Sequence, residues 1–137
     1  MTRDEILSMK PGRELDALAA EKVMGWRKKT FPGGGGGFTA WVDENEKIMK
    51  LISNSTMSET CYRCDYFRPS TDIAAAFEAE TKVIEKDPSV YVHALASVVF
   101  GYSQVQDISD IRKMCMLIHA TPEQRCKAAL LAVMDND

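Results

Sequence analysis

Five consecutive glycines, at positions 33–37, interrupt the first half of the chain. Consecutive glycines lose too much backbone entropy on folding to hold a helix or a strand without help. No regular element is therefore expected to cross this run, and we predict a mobile glycine-rich loop over residues 30–38. A phosphate-binding loop is disfavoured, because the run lacks the Gly-Lys-Ser/Thr ending and does not open a helix.

Capping signals and apolar periodicity predict four helices. The signals are Thr2 with Glu5, an amphipathic stretch ending near Gly25, Ser70 or Thr71 followed by a stop at Asp87-Pro88, and Thr121 with Pro122 and Gln124. The predicted core faces of the last three helices carry Leu15, Leu18, Ala19, Val23 and Trp26; Ile73, Ala76, Phe77 and Val83 or Ile84; Cys126, Ala129, Leu130, Val133 and Met134.

Four stretches are predicted as strands. Residues 41–42 and 47–52 flank a turn-prone segment at 43–45, and residues 90–100 are rich in β-branched and aromatic side chains. Residues 111–119 fit a helix or a strand, and the strand is preferred because a new helix signal follows at once. These elements predict a single α+β domain over residues 1–137, a three-layer sandwich with helices on both faces of a small, mainly antiparallel sheet.

The charge balance limits the classes of partner. The chain has 17 basic and 20 acidic side chains and a net charge of −3, whereas proteins that bind nucleic acid in bulk concentrate positive charge. No apolar run approaches the ~20 residues that cross a bilayer, and the N-terminus lacks the apolar stretch of a secretion signal. We therefore expect a cytoplasmic protein with reduced cysteines and no membrane or bulk nucleic-acid partner.

Three segments together resemble one known family. They are PGRELDALAAEKVMGW at 11–26, STDIAAAF at 70–77 and RCKAALLAV at 125–133. In this order they are similar to the phage ABA sandwich domain proteins, small products of bacteriophage and prophage genomes. The resemblance implies a three-layer helix, sheet, helix fold in a protein made inside an infected bacterium. It supplies no catalytic residues, and the glycine run and the pair Cys61 and Cys64 depart from the family pattern.

The cysteines and histidines do not form a diagnostic site. Cys61 and Cys64 have the spacing of half a zinc site, and Cys115 with His119, or Cys126, could supply the other half. That second half lacks a characteristic spacing, so we predict no metal and no cofactor. His93 and His119 lie in predicted strands and are interpreted as core histidines, so no catalytic residue is predicted.

A cluster of aromatic and basic residues precedes the predicted helix at Ser70. Aromatic faces stack on bases, guanidinium groups pair with phosphates, and a helix N-terminus adds unpaired amides. The plainer interpretation is that Phe67 and one tyrosine cover the edge of the core while the arginines are solvated. The candidate ligand-binding residues are Tyr62, Arg63, Tyr66, Phe67, Arg68, Ser70 and Thr71.

These patterns favour a non-catalytic phage accessory protein that binds and sequesters a small anionic, nucleotide-type ligand, with a possible counter-defence role. A homodimer or higher homo-oligomer is expected, because small domains often form pockets between symmetric copies. The alternative is a protein-interaction module that inhibits a host defence or metabolic protein through the same cluster, since Tyr and Arg are also enriched at interface hot spots.

Overall fold

A computed structural model describes residues 1–32, 37–52, 66–101 and 111–134. Its elements, in chain order, are α1 Arg3–Ser8, α2 Arg13–Leu18 with a π-helical turn at Ala19–Val23, β1 Arg27–Phe31, β2 Phe38–Val42, β3 Ile48–Leu51, α3 Ile73–Ile84, α4 Pro88–Phe100, α5 Ile111–Ile118 and α6 Pro122–Met134. The predicted α+β class is confirmed. No helix in these ranges is long and apolar enough to cross a membrane.

The three strands form one antiparallel sheet in the order β1-β2-β3. In the middle strand Ala40, Trp41 and Val42 are all buried, and successive side chains point to opposite faces of a sheet. Both faces of the sheet are therefore covered at this end of β2, whereas three of the five β1 residues are exposed. The strands predicted at 41–42 and 47–52 are confirmed, together with the turn between them.

Both ends of the loop predicted at 30–38 lie in strands. Thr30 and Phe31 end β1 and Phe38 begins β2, and the two phenylalanine rings stack with centroids 5.0 Å apart. The β1 strand was missed because Arg27, Lys28 and Lys29 carry no apolar alternation. The predicted mobility of the glycines at 33–36 concerns positions outside the described residues.

Helix α6 contacts most of the other helices, and it confirms the predicted helix and its cap but not the predicted single core face, since Val133 and Met134 are only partly buried. Its capping box is reciprocal: the Gln124 amide N–H donates to the Thr121 hydroxyl, and the Thr121 N–H donates to the Gln124 side chain. All eight residues from Arg125 to Ala132 are buried. Helices α1, α2, α3 and α4 pack against it, so α6 is surrounded rather than amphipathic.

The prediction of a strand at 90–100 is wrong, because this segment lies in helix α4. The Asp87 carboxylate caps the helix by accepting the N–H groups of Ser89 and Val90, and Pro88 occupies the first helical position. Gly101, with φ of +72°, ends it in the left-handed conformation. These end signals and burial against α6 outweigh the β propensity of the interior.

The strand predicted at 111–119 is also wrong. Helix α5 occupies this segment, and its apolar side chains are largely exposed, including Ile111 at 75% and Ile118 at 68%. His93 and His119, interpreted as core histidines, are both exposed.

Helix α3 ends before Asp87 as predicted, but its cap and core face differ from the prediction. Asp72 is the N-cap, and its carboxylate accepts the Ala74 N–H at 3.3 Å, so neither Ser70 nor Thr71 caps this helix. Small residues form most of its buried face, whereas Ile73 and Phe77 are exposed. The buried residues of α3 are Ala75, Ala76, Ala79 and Val83.

Candidate functional site

A cavity of about 380 Å³ lies between α2, the sheet and the segment 66–71. Its charged lining residues are Arg13, Asp16, Lys28 and Arg68, and its aromatic lining residues are Trp41, Tyr66 and Phe67. Each of the three surrounding elements thus supplies at least one cation. The cavity combines positive charge with aromatic surface.

Strand pairing places Lys28 and Trp41 together. These residues are direct partners in the β1–β2 ladder and therefore share one face of the sheet. The Lys28 Nζ lies 5.4 Å from the centroid of the Trp41 ring, in a cation–π contact. Trp41 is buried while Lys28 is exposed, so the indole supports the ammonium group at the cavity wall.

The segment 66–71 places alternate side chains in different surroundings. Phe67 is 4% exposed and packs edge to face on Trp26, with ring centroids 5.0 Å apart. Tyr66 and Arg68 are half-buried, and the Arg68 guanidinium lies 4.9 Å from the Tyr66 ring centroid. Phe67 therefore anchors this segment in the core, while Tyr66 and Arg68 form a stacked pair at the cavity.

Two hydrogen bonds join this segment to the start of α2. The backbone N–H of Ser70 donates to the Asp16 carboxylate at 2.8 Å, and the Ser70 hydroxyl accepts the Gly12 N–H at 2.9 Å. Ser70 is buried, so these bonds satisfy polar groups that have little access to water. Ser70 thus fixes the distance between Arg68 on one wall and Arg13 on the other.

Burial raises the pKa of the Asp16 carboxyl above its ordinary value of 3.8, because desolvation disfavours the charged form. Hydrogen bonds from Ser70 and the positive charge of Arg68 oppose this increase, but they do not cancel it. Asp16 thus places a partly desolvated carboxyl group in the cavity wall, near the positive charge of Arg68.

This pKa gives the first testable prediction. A carboxyl whose native pKa is raised stabilises the fold most when it is protonated, and the contribution is lost as pH rises through the native pKa. Asp16→Asn removes this titration and keeps an oxygen that can accept the Ser70 N–H. The stability of the variant relative to the native protein should therefore increase between pH 4 and pH 7, as urea denaturation would measure. A difference that does not change with pH would contradict the raised pKa.

Four of the predicted ligand-binding residues line this cavity, namely Tyr66, Phe67, Arg68 and Thr71. Ser70 lies beside it, with its hydroxyl and its amide already engaged. Tyr62 and Arg63 lie outside the described residues, as do Cys61 and Cys64. The structure therefore brings the second half of the predicted cluster to a cavity, and ligand binding by these residues stays a prediction.

Sequence reasoning missed Arg13, Asp16, Lys28 and Trp41 as cavity residues. Arg13 and Asp16 stand in the family-like segment at 11–26, where they read only as the polar side of a helix. Their spacing of three residues puts both on one face of α2. Lys28 could have been found only by recognising β1 and its pairing with β2.

The remaining cysteine and metal-ligand candidates do not converge. Cys115 is exposed, and Cys126 is buried in α6, where desolvation raises the pKa of its thiol to about 12. Cys126 therefore behaves as a small apolar side chain. Within the described ranges, no three His, Cys, Asp or Glu side chains are grouped closely enough to hold a metal ion.

The fold and the cavity define a class of protein, an α+β sandwich with a polar, cation-lined cavity beside its sheet. A model of the phage ABA sandwich domain matches residues 17–130, which is most of the chain. The chain therefore belongs to the phage ABA sandwich domain family. Neither the comparison with curated proteins nor that with solved structures finds a match.

Proposed function

We propose that the protein binds a small anionic, nucleotide-type ligand in this cavity and sequesters it without chemical conversion. The observation that carries the proposal is that Arg13, Lys28 and Arg68 all line one cavity, in which Asp16 is the one acidic lining residue among those that the structure describes. Over the described lining residues, three cations and one carboxylate give a local charge of +2 in a chain with a net charge of −3. Such local concentration of positive charge favours a compact anion.

The state of these cations supports the proposal. Among the described residues, the salt bridges join other side chains and include none of Arg13, Lys28 and Arg68. An anion entering the cavity therefore displaces no ion pair formed within that part of the chain. The nearby Asp16 weakens anion binding by its charge but also holds Ser70, which keeps the segment 66–71 in place.

The aromatic surface and the volume support a nucleotide-type ligand. The stacked pair of Tyr66 and Arg68 offers planar groups on which a base can stack. About 380 Å³ is near the lower end of the range of about 300–1,000 Å³ found for small-molecule sites. In a phage protein, a sequestered nucleotide-type signal of host defence would give this binding a counter-defence role.

Calorimetric titration of the purified protein with a panel of nucleotides tests this function. We expect binding without any protein partner, and we expect Arg68→Gln to weaken it about tenfold or more, because a charged hydrogen bond contributes about 1.5–3 kcal/mol. Lys22→Gln, an exposed lysine outside the cavity lining, is the matched control and should bind normally.

Three outcomes of this titration separate the alternatives. Binding followed by recovery of the intact nucleotide supports sequestration, whereas a chemically altered product identifies an enzyme. No binding across the panel overturns the proposal and leaves the protein-interaction module as the better hypothesis.

A further inference from the structure

We propose that the cavity selects a single nucleotide unit with a terminal phosphate monoester and discriminates against a cyclic phosphodiester. This inference rests on the proposed function and specifies the chemistry of its ligand. The charge and the donor groups of the cavity fit the monoester better than the cyclic diester, and the volume of the cavity fits a single nucleotide unit.

The charge of the lining matches a dianion. Among the lining residues that the structure describes, Arg13, Lys28 and Arg68 contribute +3 and Asp16 contributes −1, which leaves +2. A terminal phosphate monoester carries about −1.5 to −2 at pH 7, since its second pKa is about 6. A cyclic diester of the same nucleoside carries a single negative charge, so it neutralises half of the cavity charge. Solvent partly screens the charges at such a site, and the additional negative charge of the monoester should therefore increase its affinity about tenfold.

The donor groups come from three directions. Arg13 projects from α2, Lys28 from β1 and Arg68 from the segment 66–71, and all three line the cavity. A monoester presents three terminal oxygens, and the guanidinium forks and the ammonium group can each donate to one or two of them. A cyclic diester has only two oxygens that are not esterified. It therefore offers the three cations fewer acceptor sites than the monoester does.

The volume suits a single nucleotide unit. The described walls enclose about 380 Å³, which accepts one base and one sugar beside the phosphate. The Arg68–Tyr66 pair lies within the same lining, so the base and the phosphate are recognised in one continuous space.

The test compares ligands that share base and sugar. The purified protein is titrated with adenosine 5′-monophosphate, adenosine 3′,5′-cyclic monophosphate and adenosine, and then with the corresponding guanosine set. We expect at least one monophosphate to bind about tenfold more tightly than its cyclic counterpart, and the nucleosides to bind more weakly still. Equal or tighter binding of the cyclic nucleotides overturns this inference and leaves the proposed function standing, while no binding of any nucleotide overturns both.

Inorganic phosphate distinguishes a nucleotide site from a simple phosphate site. It shares the terminal oxygens and the charge but has no base to stack on the Arg68–Tyr66 pair. We expect it to compete at least tenfold more weakly than the monophosphate. If it binds as tightly, the nucleotide part of the inference is overturned.

Two variants test the charge argument directly. Lys28→Gln should reduce the preference for the monoester over the cyclic diester, whereas the control Lys22→Gln should leave it unchanged. Asp16→Asn should tighten monophosphate binding several-fold, because it removes a negative charge from the lining and keeps an acceptor for the Ser70 N–H. Circular dichroism spectra should show that both variants are folded. If the folded Lys28→Gln variant keeps the full preference for the monoester and the folded Asp16→Asn variant keeps the native affinity for monophosphate, the inference is overturned.

Discussion

Replacing Arg125 with methionine should lower the free energy of unfolding by about 3–5 kcal/mol, the usual effect of removing one partner of a buried ion pair. Arg125 is buried in α6, and its Nη1 donates to Glu80 of α3 at 2.8 Å. Its Nε and Nη2 donate to the carbonyls of Ala120 and Ile118 at 3.0 Å and 2.7 Å. The variant therefore leaves a shielded carboxylate and at least two carbonyl groups without these donors.

The structure contains a matched control for this prediction. Arg27 and Glu46 form the same kind of pair at 2.6 Å, but their side chains are 57% and 53% exposed. Arg27→Met should cost less than about 1 kcal/mol, because water and salt screen an exposed pair. Both variants are measured by urea denaturation, and equal costs would contradict the importance assigned to burial.

A second variant identifies the origin of the loss. Adding Glu80→Leu to Arg125→Met should recover about 2 kcal/mol, since the carboxylate no longer remains shielded without a partner. The exposed helix α5 also depends on this arginine, because Ile118 ends α5 and Ala120 follows it. Amide exchange in α5 should therefore accelerate in both variants. Unchanged exchange there would show that Arg125 is not what holds α5 to the core.

The two capping boxes were the part of the fold that the sequence predicted best. The reciprocal capping box at Thr121 and Gln124 and the earlier one at Thr2 and Glu5 are both present. A capping box is local, because both of its hydrogen bonds lie within four residues. The strands flanking the turn at 43–45 were predicted because the residues that favour a turn also act locally.

Segments whose state depends on packing were predicted wrongly. In α4, apolar residues occur on every side, which produces the same pattern as a strand buried on both faces. The Asp87-Pro88 pair was interpreted as the end of α3, although it also begins α4. The β1 strand was missed for a different reason. Lys28 pairs with Trp41 on the neighbouring strand, thirteen positions later in the chain, and this pairing is not visible in the local sequence.

The candidate site was also predictable only where its residues are contiguous in the sequence. The segment 66–71 is contiguous, so its aromatic and basic composition was visible in the sequence. Arg13, Asp16 and Lys28 reach the cavity only through the packing of α2 and the pairing of β1 with β2. The Ser70 interaction was misread because a serine before a helix resembles a cap, whereas its hydroxyl accepts a hydrogen bond from Gly12, 58 residues earlier.

Phe67→Ala should be the most destabilising change at the cavity, with a loss of about 3–5 kcal/mol in the free energy of unfolding. Phe67 is 4% exposed and its ring packs edge to face on Trp26. Removing the ring leaves an empty space beside Trp26 in the hydrophobic core. Phe67→Leu preserves most of the volume and should cost about 1–2 kcal/mol, which includes the lost aromatic contact.

The comparison with Tyr66 decides which of two roles Phe67 has. If Phe67 is a core residue, Phe67→Leu should retain most of the nucleotide affinity, whereas Tyr66→Ala should weaken binding while costing less stability than Phe67→Ala. If Phe67 instead stacks on the ligand, as the sequence cluster suggested, Phe67→Leu should abolish binding with little change in stability. Urea denaturation and calorimetry on the same three variants separate these outcomes. The edge-to-face contact with Trp26 uses the ring for packing, so we expect the first result.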